Sequence, residues 1–202
     1  MMMKKIMLTT IVALFAIVAQ AQKFSIISGD PSAFKQKGKT ANVVLDYTGA
    51  KRADLSKKEL EDVNIMDYLK ENDQKIYNNW DKHMEECLEW FCDRWNKEKK
   101  TFVKALEEGK GDYVIKIHAD YVDFGNVAAA MWSFNKHSGG VMMRGTFSIE
   151  DQAGNTLCVV KLNDFRGQSD RTISMKYPTA GRRLALFHKG LAKDMLEFLS
   201  NQ

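Results

Sequence analysis

The stretch MRGTFSIEDQAGNTLCVVKLNDF, Met143 to Phe165, alternates, turns and alternates back. Met143, Gly145, Phe147 and Ile149 fall on one side; Arg144, Thr146, Ser148 and Glu150 fall on the other. This is the period of two that a strand imposes. Asp151-Gln-Ala-Gly-Asn155 supplies the turn, and Thr156 to Phe165 returns as the hairpin partner. Upstream, Tyr113 to Val122 has the same rhythm. Ile115, Ile117, Ala119 and Tyr121 point inward, and Lys116, His118 and Asp120 point outward. Strands polar on one side belong to an antiparallel sheet with one covered face.

The cover comes from segments of a different period. Ile76, Trp80, Met84, Cys87, Phe91 and Trp95 recur at steps of three and four, with Phe102 and Leu106 continuing the stripe. The spacing predicts a long amphipathic helix over 73–108, with a kink near Asn96 to Lys100 and a stop at Gly109 and Gly111. Such an aromatic stripe reads as core. Arg182 to Leu199 predicts a closing helix that buries Leu184, Phe187, Leu191, Met195 and Phe198. Thr40 to Tyr47 reads as a strand ended by Thr48-Gly49. Leu55 to Glu71 reads as a short helix opened by the capping box Ser56-Lys57-Lys58-Glu59 and interrupted by Asn64. The expected class is α+β, in the order β-α-α-β-β-β-α: an antiparallel sheet of about four strands with helices packed on one face.

The first residues have the three parts of an export leader. Lys4 and Lys5 are its positive end, Ile6 to Ala19 its apolar core, and Ala19-Gln20-Ala21 its cleavage site, so 1–21 reads as a signal peptide cut after Ala21. The apolar run falls short of the ~20 residues that span a bilayer, and no second run after cleavage is long enough. Residues 22–39 form a lead-in whose Phe24, Ile26 and Ile27 tuck against the core, and 40–202 form one α+β domain. The expected destination is the periplasm or the exterior. Losing Lys4 and Lys5 lowers the formal charge from +4 to +2, without the concentrated basic face of a nucleic-acid binder.

Three cysteines, Cys87, Cys92 and Cys158, make no disulfide framework. On one helix, Cys87 and Cys92 are separated by roughly 7.5 Å of axial rise, beyond the reach of a good bridge. They read as buried free thiols. His83 and Cys87 share a helical face, but no further ligand completes a tetrahedral metal site. No nucleophile elbow or phosphate loop is present. Asp120 and Asp123 stand near a strand end, where solvated or turn roles are the simpler reading. Arg166, Arg171, Lys176, Arg182 and Arg183 make a basic segment, but arginine at a helix start opposes the dipole that would hold an anion there.

One connection carries a concentrated set of recognition residues. Between Ala128 and Met142 lie Trp132, Phe134, Lys136 and His137, followed by Gly139-Gly140. The simpler reading is a loop between neighbouring strands. The functional reading is a contact loop for a partner, since connections of this length are often functional.

Asp112-Tyr-Val-Ile-Lys-Ile, Asp123-Phe-Gly125, Gly139-Gly140 and Gly145-Thr-Phe-Ser-Ile-Glu-Asp-Gln-Ala-Gly154 together resemble a pattern in small bacterial envelope proteins. It is similar to the β-α-β-β-β-α domains of the amino-terminal part of TolB and of curli-secretion lipoproteins, over about Thr40 to Leu199. The resemblance implies a periplasmic or secreted interaction domain and carries no catalytic residue. The chain lacks the lipidated cysteine of the lipoprotein members. The expectation is therefore a non-catalytic, cofactor-free exported domain that binds a protein partner or envelope component through Trp132, Phe134, Lys136 and His137. The alternatives are a small-molecule carrier lined by Trp80, Trp90 and Trp95, or a hydrolase whose site forms only in the fold.

Overall fold

In the computed structural model, residues 23–55, 58–97, 102–125, 140–167 and 179–202 are described. Strand β1 (Phe24–Gly29) and a 3-10 turn (Pro31–Phe34) precede β2 (Thr40–Asp46), β3 (Lys51–Asp54) and β4 (Glu59–Asn64). Helices α1 (Ile65–Asn72), α2 (Gln74–Tyr77) and α3 (Trp80–Asn96) lead to β5 (Lys104–Leu106), β6 (Tyr113–Asp123), β7 (Met142–Asp151) and β8 (Thr156–Arg166). Helix α4 (Ala180–Ser200) closes the fold.

The α+β class holds, but about four strands understates the sheet, which has eight among the described residues. The order is β1-β8-β7-β6-β2-β5; β3 also pairs with β6, and β4 pairs with β3. The run β1-β8-β7-β6 is antiparallel. Strands β2 and β3 lie parallel to β6, and β5 parallel to β2, so the sheet is mixed. Parallel neighbours require a long crossover, and the segment carrying α1, α2 and α3 between β2 and β6 provides one.

Three local readings are corrected. The 22–39 lead-in contains β1, where Phe24 is buried and Ile27 is 57% exposed, the register shifting beside it. The Leu55 to Glu71 helix is strand β4 followed by α1. Asn64, expected to interrupt a helix, instead caps one: its Oδ1 accepts from Met66 N at 2.8 Å, satisfying an amide that the first turn leaves open. The 73–108 helix is broken early, where Asp73 Oδ1 accepts from Ile76 N and α2 ends before α3 begins. It stops at Asn96, and Lys104–Leu106 is an edge strand.

The end of α3 is clamped to that strand. Asn96 donates its side-chain amide to Ala105 O and accepts from Ala105 N, each at 2.9 Å, while Trp95 Nε1 donates to Val103 O at 2.9 Å. On the side of this edge away from β2, two backbone carbonyls and one amide find side-chain partners in place of a neighbouring strand. Phe102 packs edge-on against Trp95.

Every helix contributes buried side chains to one main core on one face of the sheet. At one end Trp95 stacks on Phe91 and Phe147, and Phe34 lies 5.3 Å from Phe147. At the other, Phe24, Phe165, Phe187 and Phe198 interlock under α4. Helices α3 and α4 approach closely because residue 181 is glycine: a Cβ there would fall 2.4 Å from the His83 ring. Leu184, Phe187, Leu191, Met195 and Phe198 are all buried, as the spacing predicts. Among the described residues, no helix is long and apolar enough to cross a membrane.

Candidate functional site

The outer sheet face, away from the helices, carries the candidate site. Ile115, Ile117 and Ala119 of β6 lie in the core, so alternation turns Lys116 and His118 outward. The expectation for Tyr121 is corrected: the β6–β7 register shifts between Ala119 and Tyr121. This β-bulge at Asp120 makes Val122 the next core residue and turns Tyr121 outward. A second register shift, between Met143 and Gly145 in the β7–β8 pairing, brings Asp164 beside Arg144. Asp164 has φ 47, a left-handed conformation uncommon outside glycine. The two bulges therefore flank Arg144 on neighbouring strands.

From β8 to β2, these residues form a ladder of alternating charge. Arg144 donates to both Asp164 oxygens at 2.8 and 2.9 Å, a two-pronged pair, and its guanidinium lies 5.9 Å from the Tyr121 ring centre. One strand over, His118 stands between two carboxylates, its Nδ1 3.0 Å from Asp46 and its Nε2 3.4 Å from Asp120. Lys116 reaches the same Asp46 oxygen at 2.9 Å. Burial alone would raise the Asp46 pKa, but hydrogen bonds from Lys116, Thr48 and His118 hold it well below the usual carboxylate range. Gly145 underlies the ladder; a Cβ there would lie 2.0 Å from His118 O, so only glycine lets β7 approach β6 here.

Where β6 ends, the outer face carries a second, small apolar cluster of Ala53, Leu55 and Met142, with Tyr121 packed against it. Charge surrounds it. Asp123 accepts from Gly125 N at 2.8 Å; burial raises its pKa, the nearby Asp54 adds to the rise, and Arg166 and Arg52 oppose it. Arg52 pairs with Glu61 and lies over the Tyr68 ring.

Trp132, Phe134, Lys136 and His137 lie outside the described residues, as does most of the Ala128 to Met142 connection. Its flanks are described: Asp123 pairs with Met142, so the chain leaves β6 and re-enters β7 at adjacent strand ends beside the ladder and the small cluster. Val141 and Met142 are buried at the start of β7.

The remaining candidates separate. His188 is in the core, where Nδ1–H donates to Leu184 O at 2.9 Å and Nε2 accepts from the Tyr47 hydroxyl at 3.3 Å. Burial pulls its pKa down to about 4, against the opposing effect of the Leu184 carbonyl. It therefore lies across the sheet from His118. Cys87, Cys92 and Cys158 are buried free thiols, and burial pushes the Cys92 thiol up to about 12. His83 packs on Gly181, and among the described residues no group of three potential ligands could hold a metal. Arg182 pairs with Glu86 at 2.6 Å, Arg183 donates to Phe124 O, and Thr179 caps the start of α4; these arginines are held by the fold. Among the described residues, Trp80, Trp90 and Trp95 do not line a shared cavity: Trp95 is fully packed, Trp80 meets Tyr47 edge-on, and Trp90 lies under Lys189. A groove of about 510 Å³ beside α3 is lined largely by glutamates, Glu85, Glu86, Glu89, Glu107 and Glu108.

Outward residues Lys116, His118, Asp120 and Arg144 are legible from alternation, but their partners Asp46 and Asp164 are not. Asp46 needs the β2–β6 pairing and Asp164 needs the bulge, and no local signal encodes either. No family model matches the chain, and neither a curated protein nor a solved structure matches it.

Proposed function

We propose that the chain is an exported, non-catalytic binding domain that engages a protein partner or a component of the cell envelope. The outer sheet face and the adjoining 128–142 connection are its contact surface. One observation carries the reading: the helices share one core, while the opposite face presents an ordered ladder from Asp164 to Lys116. Preorganised, mutually paired charges suit recognition, because complementary potentials set register and reject wrong partners. The connection holding Trp132, Phe134, Lys136 and His137 departs beside that ladder, and large aromatics are the residue types that dominate contact energy. The leader-like 1–21 supports a periplasmic or extracellular destination, in keeping with the resemblance to envelope domains.

The test is retention of a partner from envelope extract by the immobilised mature domain. Trp132→Ala with Phe134→Ala, and separately Arg144→Ala, should each reduce retention at least tenfold while the circular dichroism spectrum is unchanged. Unaltered retention by both folded variants refutes the reading.

The Asp46–His118–Asp120 contacts favour a second reading, a hydrolase with His118 as base. Loss of a measured hydrolytic activity in His118→Ala, with binding intact, would select it.

A further inference from the structure

Cleavage after Ala21 would leave a chain that starts Gln22-Lys23-Phe24, and the fold begins at once. Phe24 opens β1 and is buried, its ring 5.1 Å from Phe165 and 5.5 Å from Phe198. Lys23 pairs with Asp194 at 3.3 Å and lies over the Phe165 ring. Among the described residues, strand β1 is an edge of the sheet, hydrogen-bonded to β8 alone. The new terminus is thus one residue from a folded edge strand, next to a lysine whose side chain is 47% exposed.

We propose that the mature amino terminus is a pyroglutamate formed from Gln22. Cleavage frees the α-amine of Gln22, whose nitrogen attacks the side-chain Cδ of the same residue. A C–N bond closes the five-membered lactam as the amide C–N bond breaks. The departing nitrogen takes a proton from the attacking amine and leaves as ammonia. No oxidant, reductant or second substrate enters. The inference rests on the export reading, since only leader removal exposes that amine. Its consequence follows from the fold. An aminopeptidase needs a free α-amine, and three rounds of trimming would remove Phe24 and unpin β1 from Phe165 and Phe198. The lactam closes that route and removes a positive charge beside Lys23.

The test is the intact mass of the full-length gene product recovered from cells that export it, with a Gln22→Ala variant in parallel. The expected result is the mass of Gln22 to Gln202 less one ammonia, with aminopeptidase releasing nothing until pyroglutamyl peptidase is added. In Gln22→Ala the ammonia deficit disappears and aminopeptidase digests from the first residue, with a fall in melting temperature once Phe24 is lost. The full mass of Gln22 to Gln202 overturns the cyclisation and leaves the export reading standing. A mass that retains residues 1–21 overturns both.

Discussion

His188 shows how one buried side chain ties stability to pH. It is neutral in the core, where its ring bridges Leu184 O and the Tyr47 hydroxyl. Its folded pKa is about 4, below the ordinary 6.5, so the unfolded chain binds the extra proton first. The contribution is complete above pH 6.5 and shrinks as pH falls towards 4, and the stability lost by the acid end is roughly 3 kcal/mol. Urea unfolding at pH 7 and pH 4.5 should therefore differ more for the wild type than for His188→Gln; equal pH dependence in both would refute the assignment. The thiols give a second residue-scale outcome. Cys87, Cys92 and Cys158 are buried, and burial raises each pKa, so a thiol reagent should react with none in the native state and with all three in denaturant. Fast reaction in the native protein would contradict this.

At the scale of elements, caps and clamps decide what periodicity cannot. Asn64→Ala removes the cap on α1 and should cost about 1 kcal/mol, read as a lower urea midpoint with an unchanged slope; no change would mean that the β4–α1 junction is held otherwise. Gly145→Ala should cost more, because its methyl group meets the His118 carbonyl, and a midpoint equal to wild type would disprove that close approach. The same junctions explain what the sequence discloses. The hairpin of β7 and β8 and the stripe of α4 are legible because one face of each is apolar throughout. Strand β4 is not: Glu59-Leu-Glu-Asp-Val-Asn64 is mostly exposed at an edge, so no buried period marks it, and its charges mimic a helix start. Strand β5 is short and held by Asn96, a side-chain contact with no sequence rhythm. The bulge at Asp120 reverses the facing of Tyr121 because one extra residue shifts a period of two.

At the scale of the whole molecule, the fold separates two faces of different character. The inner face is apolar, aromatic and covered by helices; the outer face holds Asp164, Arg144, Asp120, His118, Asp46 and Lys116 in pairs. Strand alternation makes three of the outward residues of β6 readable in advance, while the ladder itself exists only once β2, β6, β7 and β8 are in register. In the 128–142 connection only composition marks Trp132, Phe134, Lys136 and His137 as candidates for contact, and the strand register adds that the connection leaves β6 and re-enters β7 beside the ladder. Carbodiimide labelling of carboxylates, with and without envelope extract, tests the two-faced account most directly. Asp120 and Asp164 on the outer face should lose labelling at least fivefold when extract is present, while Glu85 and Glu89 on α3 keep theirs. Protection of Glu85 and Glu89 with Asp120 and Asp164 still labelled would place recognition on the helix side and contradict the account.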